Sequence, residues 1–446
     1  MNGFLLAVIA TGAVLGFMIL IHEFGHYITA KWFGVRVEVF SVGFGTRLAG
    51  FRKGDTDYRI SALPLGGYVR MAGENPMEPR TGDPGEFLSH PRWQRFVIAI
   101  AGPAMNILLA VGLLTCVYMS HYSHPVYLDK AAVIGWVLEG SPAERAGVQP
   151  GDKIIRVDGL QNPTWEQVLP KMVLSPNQPV SVEIQRGNQI LQKTVVPEPT
   201  GPEQYGTPGW LPDQPNVVTD LEPGMPAQKA GIQVGDDIAA VNGTPVRSMA
   251  AVVRLLQQEG GKPAEFTVVR HGEEKKLTVQ PVLADVEGEG EKHWRVGLRS
   301  EPQEVEQLPF PQALRRSIQD NKKNSFLILE LVEKMIRHKV SLRQVEGPIG
   351  IGRATGQAAR EGPNQLLQLT AAISLNLGIF NLFPIPILDG GIILMLAIES
   401  LMGHDISLRV KERVYQVAFL FLVLFAAMVI YNDLVKTLPG LAQRLP

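Results

Sequence analysis

Residues 20–30 read LIHEFGHYITA. His22 and His26 stand four positions apart, so on a helix both imidazoles project from one face and can hold one cation. Glu23, one position on, reaches a water on that cation without ligating it. This is the arrangement in which zinc proteases activate water. The setting is unusual, because no charged residue occurs from Met1 to Ile21. Two imidazoles and a carboxylate at the end of an apolar run are costly unless something pairs with them, and such groups at membrane depth are rarely kept without a function. The plainer alternative is a pair of core histidines bonded to Glu23.

A catalytic zinc takes three protein ligands and keeps a fourth position open. The third must come from another segment at similar depth. His121 and His124 follow the second apolar run, on the opposite face. His404 lies in a loop on the same side, an exposed alternative. Asp389 in NLFPIPILDGG is the better candidate, being the only charge between Glu361 and Glu399. Pro384 and Pro386 break the helix just before it and let its side chain turn inward. Asp389 also stands where it would N-cap the helix that follows, and the two roles are compatible.

These residues must be placed by membrane helices. The chain has 446 residues with 45% hydrophobic content, an ordinary soluble average that hides strong segregation. Residues 1–21, 96–120, 366–388 and 414–431 carry no Asp, Glu, Lys or Arg, and each nears or exceeds the roughly 18–20 residues that cross a bilayer. The middle of the chain is polar and rich in Gly and Pro. The expected fold class is therefore a multi-pass α-helical membrane protein of four transmembrane helices around a water-soluble insert. The first run lacks a basic leader and a cleavage site, so it reads as a retained span. Ten basic residues between the first two runs, and Arg409, Lys411 and Arg413 before the last, put those segments in the cytoplasm. The insert and both termini then lie outside. Net charge is −1, which gives no reason to expect nucleic acid. Cys116 is the single cysteine, so an intramolecular disulfide and Cys/His zinc clusters are excluded.

The insert repeats itself. SPAERAGVQPGDKIIRVDG (141–159) and MPAQKAGIQVGDDIAAVNG (225–243) keep one register at an offset of 84 residues. Each reads as a short helix started by Pro and ended by Gly, a Gly-Asp turn, and a strand ending in Asp-Gly or Asn-Gly. Further hairpins are expected at Arg186-Gly187-Asn188 and His271-Gly272. The pattern resembles tandem PDZ domains (α+β), which bind peptides by strand addition; spacers or a steric screen are the alternative reading. After them, residues 313–340 look amphipathic, with Leu327, Leu331 and Met335 on one face, either along the membrane boundary or packed on the insert.

HEFGH near the end of the first span, AGPAMN in the second, NLFPIPILDGG in the third and the external PDZ pair together resemble the site-2 protease family of intramembrane zinc metalloproteases. The likeness covers nearly the whole chain and is nearest the sigma-E-regulating type of Gram-negative inner membranes. It implies a Zn2+ cofactor held by His22, His26 and Asp389, Glu23 as general base, and Asn381 binding the substrate backbone. Asn106 matches a structural or site-lining position. SVGFG and LPLGGYVRM also match, as re-entrant β-structure beside the site. Gly66 and Gly67 there permit close backbone approach, and an edge near Tyr68 and Val69 would hold an unwound substrate extended.

The expected segments are a first helix at 1–30, a cytoplasmic re-entrant β segment at 31–95, helices at 96–120, 365–402 and 412–432, PDZ domains at 126–200 and 213–300, and a periplasmic amphipathic segment at 305–362. The expected function is cleavage of single-span membrane proteins, of the anti-sigma factor or remnant signal peptide kind, after an earlier external cut, with the bilayer and PDZ peptide ligands as further partners. A membrane-anchored PDZ scaffold with a non-catalytic metal site is the alternative. A metal transporter is a third reading, but the second and fourth runs offer no polar path.

Overall fold

The computed structural model describes residues 3–75, 81–120, 122–214, 216–285, 292–300 and 303–437. His121, Met1 and Asn2 of the first expected span, and residues 286–291 of the second insert domain lie outside the described residues. The chain divides into two units. Met1–Tyr122, Glu306–Glu330 and Val345–Pro446 form one, and Ser123–Val305 with Leu331–Gln344 form the other.

The first unit is built on helices. α1 (Gly3–Trp32) and α2 (Arg92–Ser120) are followed, after the insert, by α3 (Phe310–Ile336), α4 (Pro348–Glu361), α5 (Pro363–Asn381), α6 (Asp389–Met402) and α7 (Leu408–Thr437). Among the described residues, α1, α2 and α7 are the three helices long and apolar enough to cross a membrane. The expected third span, 365–402, is divided between α5 and α6, so it is not one continuous helix. Pro384 and Pro386 fall in the intervening turn, where rings without an N–H cannot continue the ladder.

α1 and α2 approach closely at two glycines. A Cβ on Gly25 would lie 2.4 Å from the carbonyl oxygen of Ala101, and one on Gly102 would lie 2.2 Å from His26 Nε2. Small residues at such crossings bring the backbones together. α2 packs on α5 through Ala110, Ala371, Leu375 and Ile379. α3 buries Ala313, Ser317 and Asn321, spaced at four, and Ser317 Oγ donates to Val111 O of α2 at 2.7 Å. Asp433 of α7 accepts the N–H groups of Gly347, Ile349 and Gly350 at 2.9–3.0 Å. A carboxylate there satisfies orphan donors and favours the positive end of the α4 dipole.

Between α1 and α2 runs an antiparallel hairpin of β1 (Val37–Lys53) and β2 (Thr56–Met71), with Phe40 opposite Val69, Ser41 opposite Tyr68 and Val42 opposite Gly67. Its base is rooted by a cluster of Ala30, Val35, Val37, Met71, Phe87 and Ile98. Leu48 and Phe51, farther along, are exposed.

The second unit contains two four-stranded antiparallel sheets of the same strand order. Leu160–Gln161, Lys153–Val157, Val180–Arg186 and Gln189–Val195 make the first; Thr244–Pro245, Asp237–Val241, Ala264–Arg270 and Glu273–Val279 make the second. One sheet's apolar face packs with Trp165, Val168 and Met172 of the helix Trp165–Val173, and the other's with Val252 and Leu256 of Met249–Gln258. Asp158-Gly159 (φ 43°, 85°) and Asn242-Gly243 (φ 49°, 75°) close matching hairpins. Left-handed φ at both central residues is what a type I′ turn needs. The two halves also share an ion pair. Arg186 Nε donates to Asp152 at 2.7 Å, and Arg270 Nε to Asp236 at 2.6 Å.

Candidate metal centre

α1 carries His22, Glu23 and His26 on its last turns, with His22 and His26 only 7% and 8% exposed. Asp389 arrives from α6. Its Oδ2 lies 3.1 Å from His22 Nε2, its Oδ1 3.4 Å from His26 Nε2, and the two Nε2 atoms are 3.2 Å apart. A tetrahedral zinc about 2.0–2.1 Å from each donor would set those donors roughly 3.3 Å from one another. The chemistry of the set, two imidazoles and one carboxylate, and its spacing both fit that ion.

The surroundings prepare the donors. Ile98 O of α2 lies 2.8 Å from His26 Nδ1. A carbonyl only accepts, so Nδ1 carries the proton and Nε2 keeps its lone pair for a cation. Gly102, one helical turn further along α2, leaves the room that both rings occupy; a Cβ there would also come within 2.8 Å of His22 Cε1.

Asp389 is placed by the turn before α6. The backbone N–H of Ile385 donates to Phe383 O at 2.7 Å, and that of Leu388 to Ile385 O at 2.8 Å. The turn folds over the first residues of α6, where a Cβ on Gly390 would meet Phe383 O at 2.2 Å and one on Gly391 would meet Ile385 O at 2.3 Å. Asp389 is the first helical residue rather than the N-cap; Leu388 takes that place, without a side-chain cap bond. The N-cap role is therefore not observed, because both carboxylate oxygens turn to the histidines.

Glu23 faces the same space. The backbone N–H of Val69 in β2 donates to Glu23 Oε2 at 2.9 Å. His22, Glu23, His26, Tyr68, Val69, Asn381 and Asp389 all line one cavity of about 300 Å³. Asn381, the last residue of α5, has Nδ2 3.5 Å from His22 Nε2. Gly67 does not line the cavity. It lets β2 press on β1, since a Cβ there would lie 2.5 Å from Ser41 O. His404 is exposed, with Nδ1 3.2 Å from Asp405 O, and takes no part. His124 is buried and bonded to Asp129 at 2.6 Å in the other unit.

Sequence reasoning missed Glu74, Phe87 and Ile98, which also line the cavity. Ile98 acts through a backbone carbonyl, for which the sequence holds no signal. Glu74, a lone acid three residues beyond β2, was legible only as a charge near an apolar segment; its Oε2 accepts from Met71 N–H at 3.2 Å.

An HExxH helix end, met by an aspartate from a broken helix and flanked by a β-hairpin, is the kind of donor set that metallopeptidases use. The sequence profile of peptidase family M50 matches residues 10–425, and the chain belongs to that family. It is 33% identical over 440 residues to the regulator of sigma-E protease RseP of Salmonella typhimurium, covering 94% of this chain and 96% of that protein. It is 32% identical over 447 residues to RseP of Escherichia coli, with the same coverage. At 30% over 438 residues it resembles a Neisseria meningitidis protein whose name is that of a zinc metalloprotease, covering 94% and 97% of the two chains.

Proposed function

We propose that this chain is a zinc-dependent intramembrane endopeptidase that cuts the transmembrane segments of single-span proteins. The observation that carries the reading is the convergence of His22 Nε2, His26 Nε2 and an Asp389 oxygen at 3.1–3.4 Å beside Glu23, at the end of an apolar helix. In this reading, His22, His26 and Asp389 hold the ion. Zinc bound there supplies Lewis acidity, lowering the pKa of a water toward about 7 and polarising a peptide carbonyl.

The chain's own groups do the rest. Glu23 takes the proton of the attacking water on the oxygen that Val69 leaves free, and passes it to the leaving amine nitrogen. Val69 fixes which oxygen that is. Asn381 donates its amide to the backbone of the unwound segment. A transmembrane helix hides its peptide bonds in its own ladder, so it must open first; the edge of β2 at Tyr68 gives the opened strand a partner. Because Val69 spends its N–H on Glu23, that pairing falls to the Val69 carbonyl, which points to the same outer edge. Gly67 supports the strand from behind rather than touching substrate.

In the same reading, α5 and α6 together make the third of four crossings in a bacterial inner membrane, with the site near the cytoplasmic face. The two sheet domains of the insert are PDZ-type modules on the periplasmic side. They screen bulky ectodomains or take up peptide ends, so a prior external cut precedes cleavage. The names of the sigma-E relatives support anti-sigma factors as substrates, with remnant signal peptides as a second class. The test is cleavage of a model single-span anti-sigma factor in proteoliposomes. Glu23→Gln should insert normally and cleave nothing; full activity in that variant sinks the reading, whereas zinc bound by the wild type with no turnover favours a PDZ scaffold.

A further inference from the structure

Three residues of α2 face the two imidazoles at successive turns: Ile98, Gly102 and Asn106. Ile98 accepts from His26 Nδ1, and Gly102 makes room for both rings. Asn106 meets the other histidine. Its Nδ2 lies 3.3 Å from His22 Nδ1. Asn106 is 0% exposed, and its Oδ1 is buried without a hydrogen-bond partner among the described residues. Ser374 Oγ of α5 donates to the Asn106 backbone carbonyl at 2.9 Å, which pins this part of α2.

The orphaned oxygen is informative. An unpartnered buried carbonyl is costly, so such an atom calls for an explanation. When His22 offers the Nε2 lone pair to a cation, its proton must sit on Nδ1. Facing Nδ2, that N–H would meet another donor. A half-turn of the amide about its last torsion exchanges Nδ2 and Oδ1, which differ little in size. Oδ1 then accepts the imidazole proton and loses its orphan status.

We propose that Asn106 is a positioning residue for the metal, the counterpart for His22 of what the Ile98 carbonyl is for His26. It accepts the His22 Nδ1 proton, fixes the tautomer that exposes Nε2, and raises the ligand's basicity. This rests on the reading of His22, His26 and Asp389 as metal ligands. A purely packing role at the contact of α2 with α5 is the competing account.

The experiment is zinc affinity of the full-length protein in detergent, measured against a chromophoric chelator. Asn106→Asp keeps an acceptor in nearly the same volume and should hold zinc within about threefold of wild type. Asn106→Leu keeps the volume without the acceptor and should bind about 10- to 100-fold more weakly, as outer-shell losses do. Cobalt substituted for zinc should show displaced visible bands in the Leu variant and unchanged bands in the Asp variant. Leu binding as tightly as wild type, or Asp as weakly as Leu, overturns the proposal. If the Leu variant fails to fold, Asn106→Ala takes its place and is read the same way. A wild type that binds no zinc overturns the metal reading itself, and this role with it.

Discussion

The backbone N–H of Val69 donates to Glu23 Oε2 at 2.9 Å. One bond thus joins the β-hairpin to Glu23 of α1. In the proposed mechanism it leaves a single carboxylate oxygen for proton transfer and sets its direction.

Val69→Pro removes that donor, and an edge strand tolerates the ring. Turnover should fall about 10- to 100-fold, part of the 10²–10⁴ that a well-placed base contributes. Zinc content should stay at the wild-type level. Turnover and metal analysis on the same preparation check both halves, and coupled loss of metal would show the bond to be structural.

Asp389→Asn replaces a charged ligand by a weak neutral one. The protein should lose zinc under dialysis against a mild chelator that leaves wild type loaded. The same chelation at higher strength should lower the wild-type unfolding temperature, because an ion that binds only the folded state stabilises it by mass action. A thermal scan with and without chelator reads this directly, and the Asn variant should show no such shift.

Gly102→Ala should be disproportionately harmful. Its Cβ would lie 2.2 Å from His26 Nε2, whereas one on Gly112 of the same helix meets nothing within 4 Å. Overpacking of this kind costs about 1–3 kcal/mol and moves the crowded groups. Gly102→Ala should lose zinc affinity and activity, while Gly112→Ala should retain both.

In the insert, the Arg270 guanidinium holds the Asp236 carboxyl below the usual carboxylate range, with the Gln233 N–H adding to the effect. The folded form thus favours ionised Asp236 more than the unfolded chain does. That contribution is fully present above the unfolded pKa of about 3.9 and is lost as pH falls through the lower folded value. Asp236→Asn should therefore melt below wild type near neutral pH, and the gap should close as pH drops below about 4. A gap that widens in acid would reverse the assigned sign.

The sequence by itself determined what is local. Helical periodicity put His22 and His26 on one face, apolar runs marked α1, α2 and α7, and the Asp-Gly and Asn-Gly pairs placed the hairpin turns of the insert. Short-range rules sufficed because each depends on neighbours within a turn or a strand. The depth argument also singled out Asp389, since a lone charge in an apolar stretch needs a reason.

Only the tertiary structure decided what depends on packing between distant segments. It turned Asp389 away from capping α6 and onto the histidines, and it gave the Val69 N–H to Glu23. It also divided the third expected span, and it pressed Gly67 against β1, outside the cavity lining. The supports on α2 are the clearest case. The Ile98 carbonyl and the space at Gly102 carry no side-chain signature, and Asn106, which the sequence marked only as structural or site-lining, meets His22 only through the packing of α1 on α2. Such roles follow from where backbones cross, and crossing geometry is fixed by the summed packing of all the helices, not by the spacing of residues along any one of them.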